Sequence, residues 1–533
     1  MHPNKLRFIR ILLASIVGLI LLLYLFIQIP WVQNKLIQKA TQTLSSSLNT
    51  EVKVGKVGFA LFNRLDLQDV LIRDQQKDTL VYTHTLKLRI SDIFFSTTTP
   101  IIKYIGLEGT KIHLHRNTEQ WNYQFLLDFL NKGAQKKSKG YDLKKIEIAQ
   151  IDFVQDDEWV GQSMHLKSAN IIANFSQFND SLIQIDQLVA NKPFYTIQNK
   201  KGLRKNIPNK KKIIHPIDEL YFGNPNTIIL AKEIKITQGK LWIENDFAKP
   251  TPQFDGYHIR LNELNAQIEN ASFIKDTIKA KVVLSTKERS GFAIQQLKTQ
   301  FRMTPQIMEL NKLYLKTNKS ILGPYYAMEY KDLVEDFSDY IHKVNMRAHL
   351  INAQVASDDI AFFAPELTNI HQKVSTSFKF NGTVTDFKTE GLSAQYNNSF
   401  VKGNFSMKGI PEMRTTQINF SEVFAKTNYP DLLQWIPSLS LIKDLQVNQL
   451  GNLIFQGKFN GTLYDFVADA NIQSALGNAN TAIRIQFPIN AEPIYEGKLT
   501  TSHFNIGKLL AIQELGWLNF NGKIAGTSDR KSV

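Results

Sequence analysis

The sequence predicts a mainly β protein: one transmembrane helix at the N-terminus, then an elongated, curved and repetitive β-sheet groove with a few short helices. Three observations predict it. Ile11 to Ile29 is a run of 19 residues without a charge. Beyond Glu51 the apolar residues fall mostly at every second position, the period of a strand with one apolar face. A nine-residue phrase from the middle of the chain also returns 79 residues later with seven positions unchanged.

Composition sets the outer bounds. The 533 residues contain 63 Lys+Arg, 48 Asp+Glu and no cysteine, for a net charge of +15. Without cysteine there is no disulfide framework, thiolate zinc site or cysteine nucleophile. With 43% hydrophobic and 21% charged residues the chain is too apolar to be largely disordered. At this length several domains or one repetitive body replace a single compact core. The positive charge is concentrated: Lys5, Arg7 and Arg10 precede the apolar run, and Lys200, Lys201, Arg204, Lys205, Lys210, Lys211 and Lys212 share one stretch without an acid. Setting these ten aside leaves the rest at +5, which does not fit a nucleic-acid binder.

Residues 1–10 read as a cytoplasmic tail and 11–29 as the anchor. At about 1.5 Å per residue the run reaches roughly 28 Å, close to the hydrocarbon thickness of a bilayer. The cations before it put the N-terminus in the cytoplasm. A cleaved signal peptide needs a small-residue site, whereas Leu25-Phe26-Ile27-Gln28-Ile29-Pro30-Trp31 is bulky throughout. No later run repeats the signal, so the chain is read as single-pass, with Trp31 at the interface.

Residues 31–48 read as a membrane-proximal helix, with Val32, Leu36, Ile37, Ala40, Leu44 and Leu48 near helical spacing. Residues 49–360 form a first β-region. There Leu86, Leu88 and Ile90 alternate with Lys87 and Arg89, Ile112 and Leu114 with Lys111, His113 and His115, and Ile146 and Ile148 with Lys145 and Glu147. Short helices are expected after Asn117, with Trp121, Phe125, Leu126 and Phe129 on one side, over Tyr325 to Ile341, and over Tyr429 to Ile442 around Pro430 and Pro437.

Residues 361–533 form a repeat region. KFNGTVTDF at Lys379 to Phe387 recurs as KFNGTLYDF at Lys458 to Phe466, and GKIAGT at Gly522 to Thr527 is a partial third copy. Each copy reads as a strand, an Asn-Gly turn at Asn381-Gly382 or Asn460-Gly461, and a return strand. About 30 to 40 strands of ordinary length, too few helices to cover them, and a sheet that must coil give a trough with an apolar lining. At about 4.8 Å per strand it would extend roughly 150–190 Å. An apolar trough tethered to a membrane points to lipid.

Enzyme chemistry finds little support. His113 and His115 would project from one face of a strand, as metal ligands can, but the alternation reads them as solvent-facing. Asp152, Asp156, Asp157 and Glu158 lack the spacing and glycine of a calcium loop and read as a polar hairpin turn. Ser399 to Lys402 spells S-x-x-K inside an alternating strand without its companion motifs, and no phosphate loop, H-E-x-x-H or G-x-S-x-G occurs. No cofactor is expected. The Lys200 to Lys212 cluster suits anionic lipid headgroups or lipopolysaccharide, although Gly202, Pro208 and Asn209 read it as a solvated loop between strands.

The order of these features resembles the AsmA-like envelope proteins, and among them the TamB-type (translocation and assembly module) proteins of Bacteroidota. The resemblance is carried by Lys5 to Ile29, the Trp31 to Leu48 helix, Leu48 to Ser91, WNYQFLLDFL from Trp121, and LTTSHFNIGKLLAIQELGWLNFNGKIAGT at Leu499 to Thr527. It implies a taco-like β-groove, anchored in the inner membrane, that carries phospholipid across the periplasm toward the outer membrane. Membrane phospholipids are then the partners. The residues expected to line the groove are Leu86, Leu88, Ile90, Ile112, Leu114, Phe378, Phe380, Leu453, Phe455, Phe459, Ile483, Ile485 and Phe487. The alternative that the same resemblance implies is a scaffold for assembling outer-membrane proteins beside a BamA-like barrel partner. Relatives of this type usually run longer and end in a C-terminal β-domain, so the resemblance covers the N-terminal part of such a protein.

Overall fold

The structure is a computed structural model that describes residues 15, 18–19, 21–22, 25–26, 28–60, 63–90, 101–133, 143–204, 227–412, 414–435, 446–489 and 491–527. The protein is mainly β, and the chain divides into two compact units, Met1–Ala293 and Ile294–Val533. Of the apolar run at 11–29, Ser15, Gly18, Leu19, Leu21, Leu22, Leu25 and Phe26 are helical. The rest, up to Ile27, and the 1–10 tail lie outside the described residues. Among the described residues no helix is long and apolar enough to cross a membrane.

Helix α1 (Pro30–Leu48) forms where the spacing predicts it, with Ile37 and Leu48 buried and Ala40 and Leu44 exposed. Pro30 opens it, where a fixed φ and a missing N–H cost nothing, and Asn49 closes it at φ 52° with its N–H on the Ser45 carbonyl.

Unit 1 is a mixed sheet. Its strands are β1 (Val52–Lys53), β2 (Lys56–Ala60), β3 (Arg64–Arg73), β4 (Thr79–Ile90), β5 (Ile102–Arg116), β6 (Lys145–Asp157), β7 (Gln162–Phe178), β8 (Leu182–Asn191), β9 (Phe194–Asn199), β10 (Ile228–Asn245), β11 (Ile259–Ile274) and β12 (Thr277–Glu288). Neighbours in sequence pair antiparallel except at two places. β5 and β6 are parallel, as are β10 and the end-to-end pair β8 and β9. Parallel neighbours need a long return connection. The first contains helix α2 (Gln124–Gly133), shorter at its start than the expected one, and the second is the stretch that carries Lys200 to Lys212.

Unit 2 is antiparallel throughout: β13 (Ala293–Met303), β14 (Ile307–Lys316), β15 (Ile321–Leu322) and β16 (Pro324–Glu329) end to end, β17 (Asn345–Ala356), β18 (Lys373–Gly382), β19 (Asp386–Tyr396), β20 (Ser399–Lys408), β21 (Gln417–Asn428), β22 (Asn452–Gly461), β23 (Asp465–Ser474), β24 (Gly477–Gln486), β25 (Ile494–Asn505) and β26 (Trp517–Thr527). The helix expected over Tyr325 to Ile341 is confined to α3 (Leu333–Ser338) and α4 (Tyr340–Lys343), because Tyr325 to Glu329 pairs with β14 and β17 on both sides. Shorter helices α5 (Ser357–Ile360), α6 (Tyr429–Trp435) and α7 (Ile506–Leu510) follow β17, β21 and β25. The rest of the helix expected to Ile442 falls on 436–442, outside the described residues. Twenty-six strands are described rather than 30 to 40, because many run to 10 residues or more.

The internal repeat is a four-strand module. β18 to β21 with α6 is followed by β22 to β25 with α7, and β26 starts the next. Asn428 and Asn505 end equivalent strands, and each side chain accepts the N–H three residues on, of Asp431 and Lys508, both at 2.9 Å. The Asn-Gly pairs do not form the turns. Gly382 and Gly461 remain paired with Phe387 and Phe466, and the chain reverses in the next three residues, where the Thr383 and Thr462 N–H groups reach Asp386 and Asp465 carbonyls at 2.9 and 2.8 Å. Glycine is required by close approach: a Cβ on Gly461 would lie 2.2 Å from the Asp465 carbonyl oxygen, at a φ of 138°.

A row of left-handed residues crosses each sheet, and at Gln238, Glu263, Lys312, Asn352, Gly391 and Glu422 it coincides with a register shift, the mark of a β-bulge. Asp69, Gly109, Gln150, Lys192, Gln238 and Glu263 in unit 1, and Lys312, Asn352, Gly391 and Glu422 in unit 2, all have left-handed φ between 49° and 63°. Such bulges bend strands and increase twist. Each left-handed residue advances the apolar phase by one: Leu67 to Val70, Ile148 to Ile151, Leu310 to Leu313 and Phe420 to Val423 keep one face across a gap of three. The freed backbone groups are satisfied by neighbouring strands. Hydroxyls of Thr83, Ser168, Thr286 and Thr299 donate to the carbonyls of Glu108, Asn191, Asn262 and Asn311, each just before one of these left-handed residues, at 3.2, 3.0, 2.9 and 2.9 Å.

Candidate functional site

Twelve of the thirteen residues expected to line a groove fall on the apolar sides of their strands, and the thirteenth, Phe487, follows the end of β24. Leu86 and Leu88 stand opposite Leu67 and Leu65 on β3 and Leu107 and Ile105 on β5, and Ile90 is buried against Ile102. Beyond Gly109 the same side of β5 continues with Ile112 and Leu114, Ile112 lying between Val81 and Phe153. In unit 2, Phe378 and Phe380 face Leu350 and Ala348. Leu453, Phe455 and Phe459 face Thr427, Ala425 and Phe420. Ile483 and Ile485 face Ala468 and Phe466, with Phe487 one step further.

These residues belong to a larger feature. Phe380 stacks on Phe387 at 4.9 Å between ring centres, Phe387 meets Phe405 at 5.9 Å, and Phe405 meets Phe420 at 4.6 Å. Phe420 pairs in register with Phe459, which stacks on Phe466 at 4.8 Å, and Phe466 reaches Phe487 at 6.5 Å. Seven phenylalanines thus run over β18 to β24 on one side. Sequence reasoning missed Phe387, Phe405, Phe420 and Phe466. Phe387 and Phe466 close the two repeat phrases, which is the signal that identifies them.

The burial of this side is partial. Phe380, Phe387, Phe405, Phe420, Phe455, Phe459, Phe466, Ile483 and Ile485 are half-buried, and Phe487 is 43% exposed. Neighbours on the same face shield each ring, whereas a second layer would bury it completely. The opposite side of β22 to β25 is largely polar, with Gln456, Lys458, Asp469, Asn471, Asn480, Arg484 and Lys498. Arg484 there holds Asp465 at 2.7 Å, and this contact, with Gln486 second, lowers the Asp465 carboxyl to about 2. On the polar side of unit 1, burial first and Glu147 second push the Tyr104 hydroxyl up to about 12.

Recesses of about 690, 260 and 420 Å³ lie near the left-handed rows and their continuation, lined by Glu422, Lys458, Asp469 and Lys498, by Lys87, Glu108 and Glu147, and by Lys192, Gln238 and Glu263 respectively. Each mixes these charged groups with apolar ones such as Val423, Ile148 and Phe194, and none is lined by a member of the phenylalanine row. The apolar feature is therefore an open surface and not one of these recesses.

Of the cation cluster, Lys200 bonds Asp156 at 2.8 Å, while Lys201 and Arg204 are exposed at the start of the β9 to β10 connection. Lys205, Lys210, Lys211 and Lys212 lie outside the described residues. Ser399 of the S-x-x-K sequence donates to Asp431 at 2.6 Å, and Lys402 lies over the Phe400 ring. Of Asp152, Asp156, Asp157 and Glu158, read as a polar hairpin turn, only Glu158 lies in the turn between β6 and β7; the three aspartates sit within β6, whose pairing with β7 runs on to Asp157. The chain matches no protein-family model, no curated protein and no solved structure.

Proposed function

We propose that the chain is an AsmA-like, TamB-type envelope protein that holds phospholipid acyl chains on the apolar sides of its sheets and passes them along, without making or breaking a bond. The observation that carries this reading is the half-buried apolar side of β18 to β26, with its seven-phenylalanine row and, among the described residues, no large buried core against it. An apolar surface of this extent that the described residues leave half-buried needs an occupant. Acyl chains supply one, at about 0.8 kcal/mol per buried CH₂. Many similar shallow sites in series allow movement, where one deep pocket would trap the cargo. The anchor belongs to the same proposal: Leu19, Leu21, Leu22, Leu25 and Phe26 are helical and more than half exposed, as residues in contact with lipid would be. The resulting placement is the inner membrane, with the body in the periplasm. The alternative reading, a scaffold that receives unfolded outer-membrane strands by edge pairing beside a barrel partner, is favoured by no separate observation.

The test is lipid content after mild detergent extraction. Wild type is expected to retain several phospholipids per chain by native mass spectrometry. Phe459→Asp, which sets a charge in the middle of the row, is expected to lower that number by half or more. Equal retention by both proteins would refute the reading.

A further inference from the structure

The parallel pairing of β5 with β6 has a consequence unrelated to lipid. It sets His115 directly opposite Asp156, and the turn that follows brings Glu158 to the same place. One ligand atom from each of His115, Asp156 and Glu158 lies within 4.8 Å of the others, and all three residues are half-buried. Sequence spacing does not bring these groups together, since 41 residues separate His115 from Asp156.

We propose that His115, Asp156 and Glu158 bind a divalent transition-metal ion of the zinc class, at the base of the cation-rich connection between β9 and β10. The imidazole is a borderline ligand that favours a zinc-class ion over calcium or magnesium, the two carboxylates are hard oxygen ligands that zinc also accepts, and three ligands leave a position for water. Ligand atoms around tetrahedral zinc sit about 3.3 Å apart, so a rotation of the Glu158 side chain closes the set. Glu158 is available for it, because its carboxylate has no partner among the described residues. Asp156 is already oriented: Ser163 donates to Oδ1 at 2.6 Å and Lys200 at 2.8 Å, leaving Oδ2 for the metal. The neighbouring Asp157 is occupied by a two-pronged contact from Arg116, at 2.8 and 2.5 Å, and does not compete.

The surroundings are built rather than loose. The Lys200, Leu203 and Arg204 N–H groups donate to Gly161, Glu158 and Trp159 carbonyls at 2.8, 2.9 and 2.9 Å. A Cβ on Gly161 would lie 2.2 Å from the Lys200 carbonyl oxygen, so the turn and the connection touch backbone to backbone. A metal here would fasten the start of the connection to the sheet, and Lys200 would be its competitor for Asp156.

Zinc titration of the tag-free full chain against a chromophoric chelator tests this. One Zn²⁺ per chain is expected, weakened at least tenfold in both His115→Ala and Glu158→Gln and unchanged in the distant His349→Ala. Lys200→Met, which removes the competing cation, is expected to tighten binding; a folding defect would not do so. The absence of a one-to-one phase, unchanged affinity in His115→Ala and Glu158→Gln, or weaker binding in Lys200→Met would each overturn the proposal.

Discussion

His258 shows how much one side chain can report. It is buried between β10 and β11, with Nδ1 2.9 Å from a Glu244 carboxylate oxygen and Nε2 2.8 Å from the Ala248 carbonyl. Both partners are acceptors, so the charged ring, with a proton on each nitrogen, is the form that satisfies both contacts. Glu244, itself held by Arg260, is the main cause that raises the His258 pKa above its ordinary value, and burial opposes it. A raised folded pKa stabilises the fold fully below the unfolded value of about 6.5, and that contribution is lost as pH rises through the folded pKa. Thermal midpoints measured from pH 5.5 to 8.5 should therefore fall with rising pH in wild type more than in His258→Gln. Parallel curves would contradict the assignment. Gly461 is the second informative residue. Gly461→Ala places a methyl group against the Asp465 carbonyl and should cost about 1–3 kcal/mol, read as a lower thermal midpoint. Ala at exposed Gly256, where a Cβ meets nothing within 4 Å, should leave the midpoint nearly unchanged.

At the scale of elements, the strands were largely legible in the sequence and their interruptions were not. Alternation located Leu86 to Ile90, Ile112 to Leu114 and Phe378 to Phe380 on one side of their strands, because a period of two follows directly from the pleat. The left-handed residues escaped because a gap of three, as from Ile148 to Ile151, reads as a broken pattern unless a neighbouring strand supplies the missing acceptor or donor. Pairing partners such as Glu108 with Thr83 are 25 residues apart and become visible only in three dimensions. The turns at Thr383 and Thr462 were misread for a related reason: Asn-Gly favours a two-residue turn locally, but strand pairing extends through Gly382 and Gly461 and displaces the reversal. The hydroxyls that serve the left-handed residues make a direct test. Thr83 is 2% exposed and bonds Glu108 and Thr110, the latter at 2.7 Å. Thr83→Val keeps the shape but strands buried acceptors, and should lower the local opening free energy of β4 and β5 by about 1–3 kcal/mol. Hydrogen exchange by mass spectrometry over 79–116 would show it as faster exchange there, and unchanged exchange would refute the role.

At the scale of the molecule, each unit is a sheet whose two sides differ in chemistry. In unit 2 one side carries the phenylalanine row and the other carries ion pairs and amides. A folded chain ordinarily closes such a sheet with a second layer, as a small buried cluster begins to do around Leu143, Ala173 and Phe175 in unit 1. Over β18 to β24 the apolar side is left half-buried instead. The sequence could nominate lining residues because alternation assigns sides. It could not say how far those sides are covered, since burial depends on what packs above them. The lipid-carrying claim therefore reduces to a difference between adjacent residues on opposite faces. Photo-crosslinking side chains at Leu88, Phe380 and Phe455, compared in cells with the neighbouring positions Lys87, Lys379 and Gln456, measure that difference directly. The account predicts phospholipid adducts at the first three positions and few or none at the second three. Equal labelling of both sets, or adducts only to nascent barrel proteins, would contradict it.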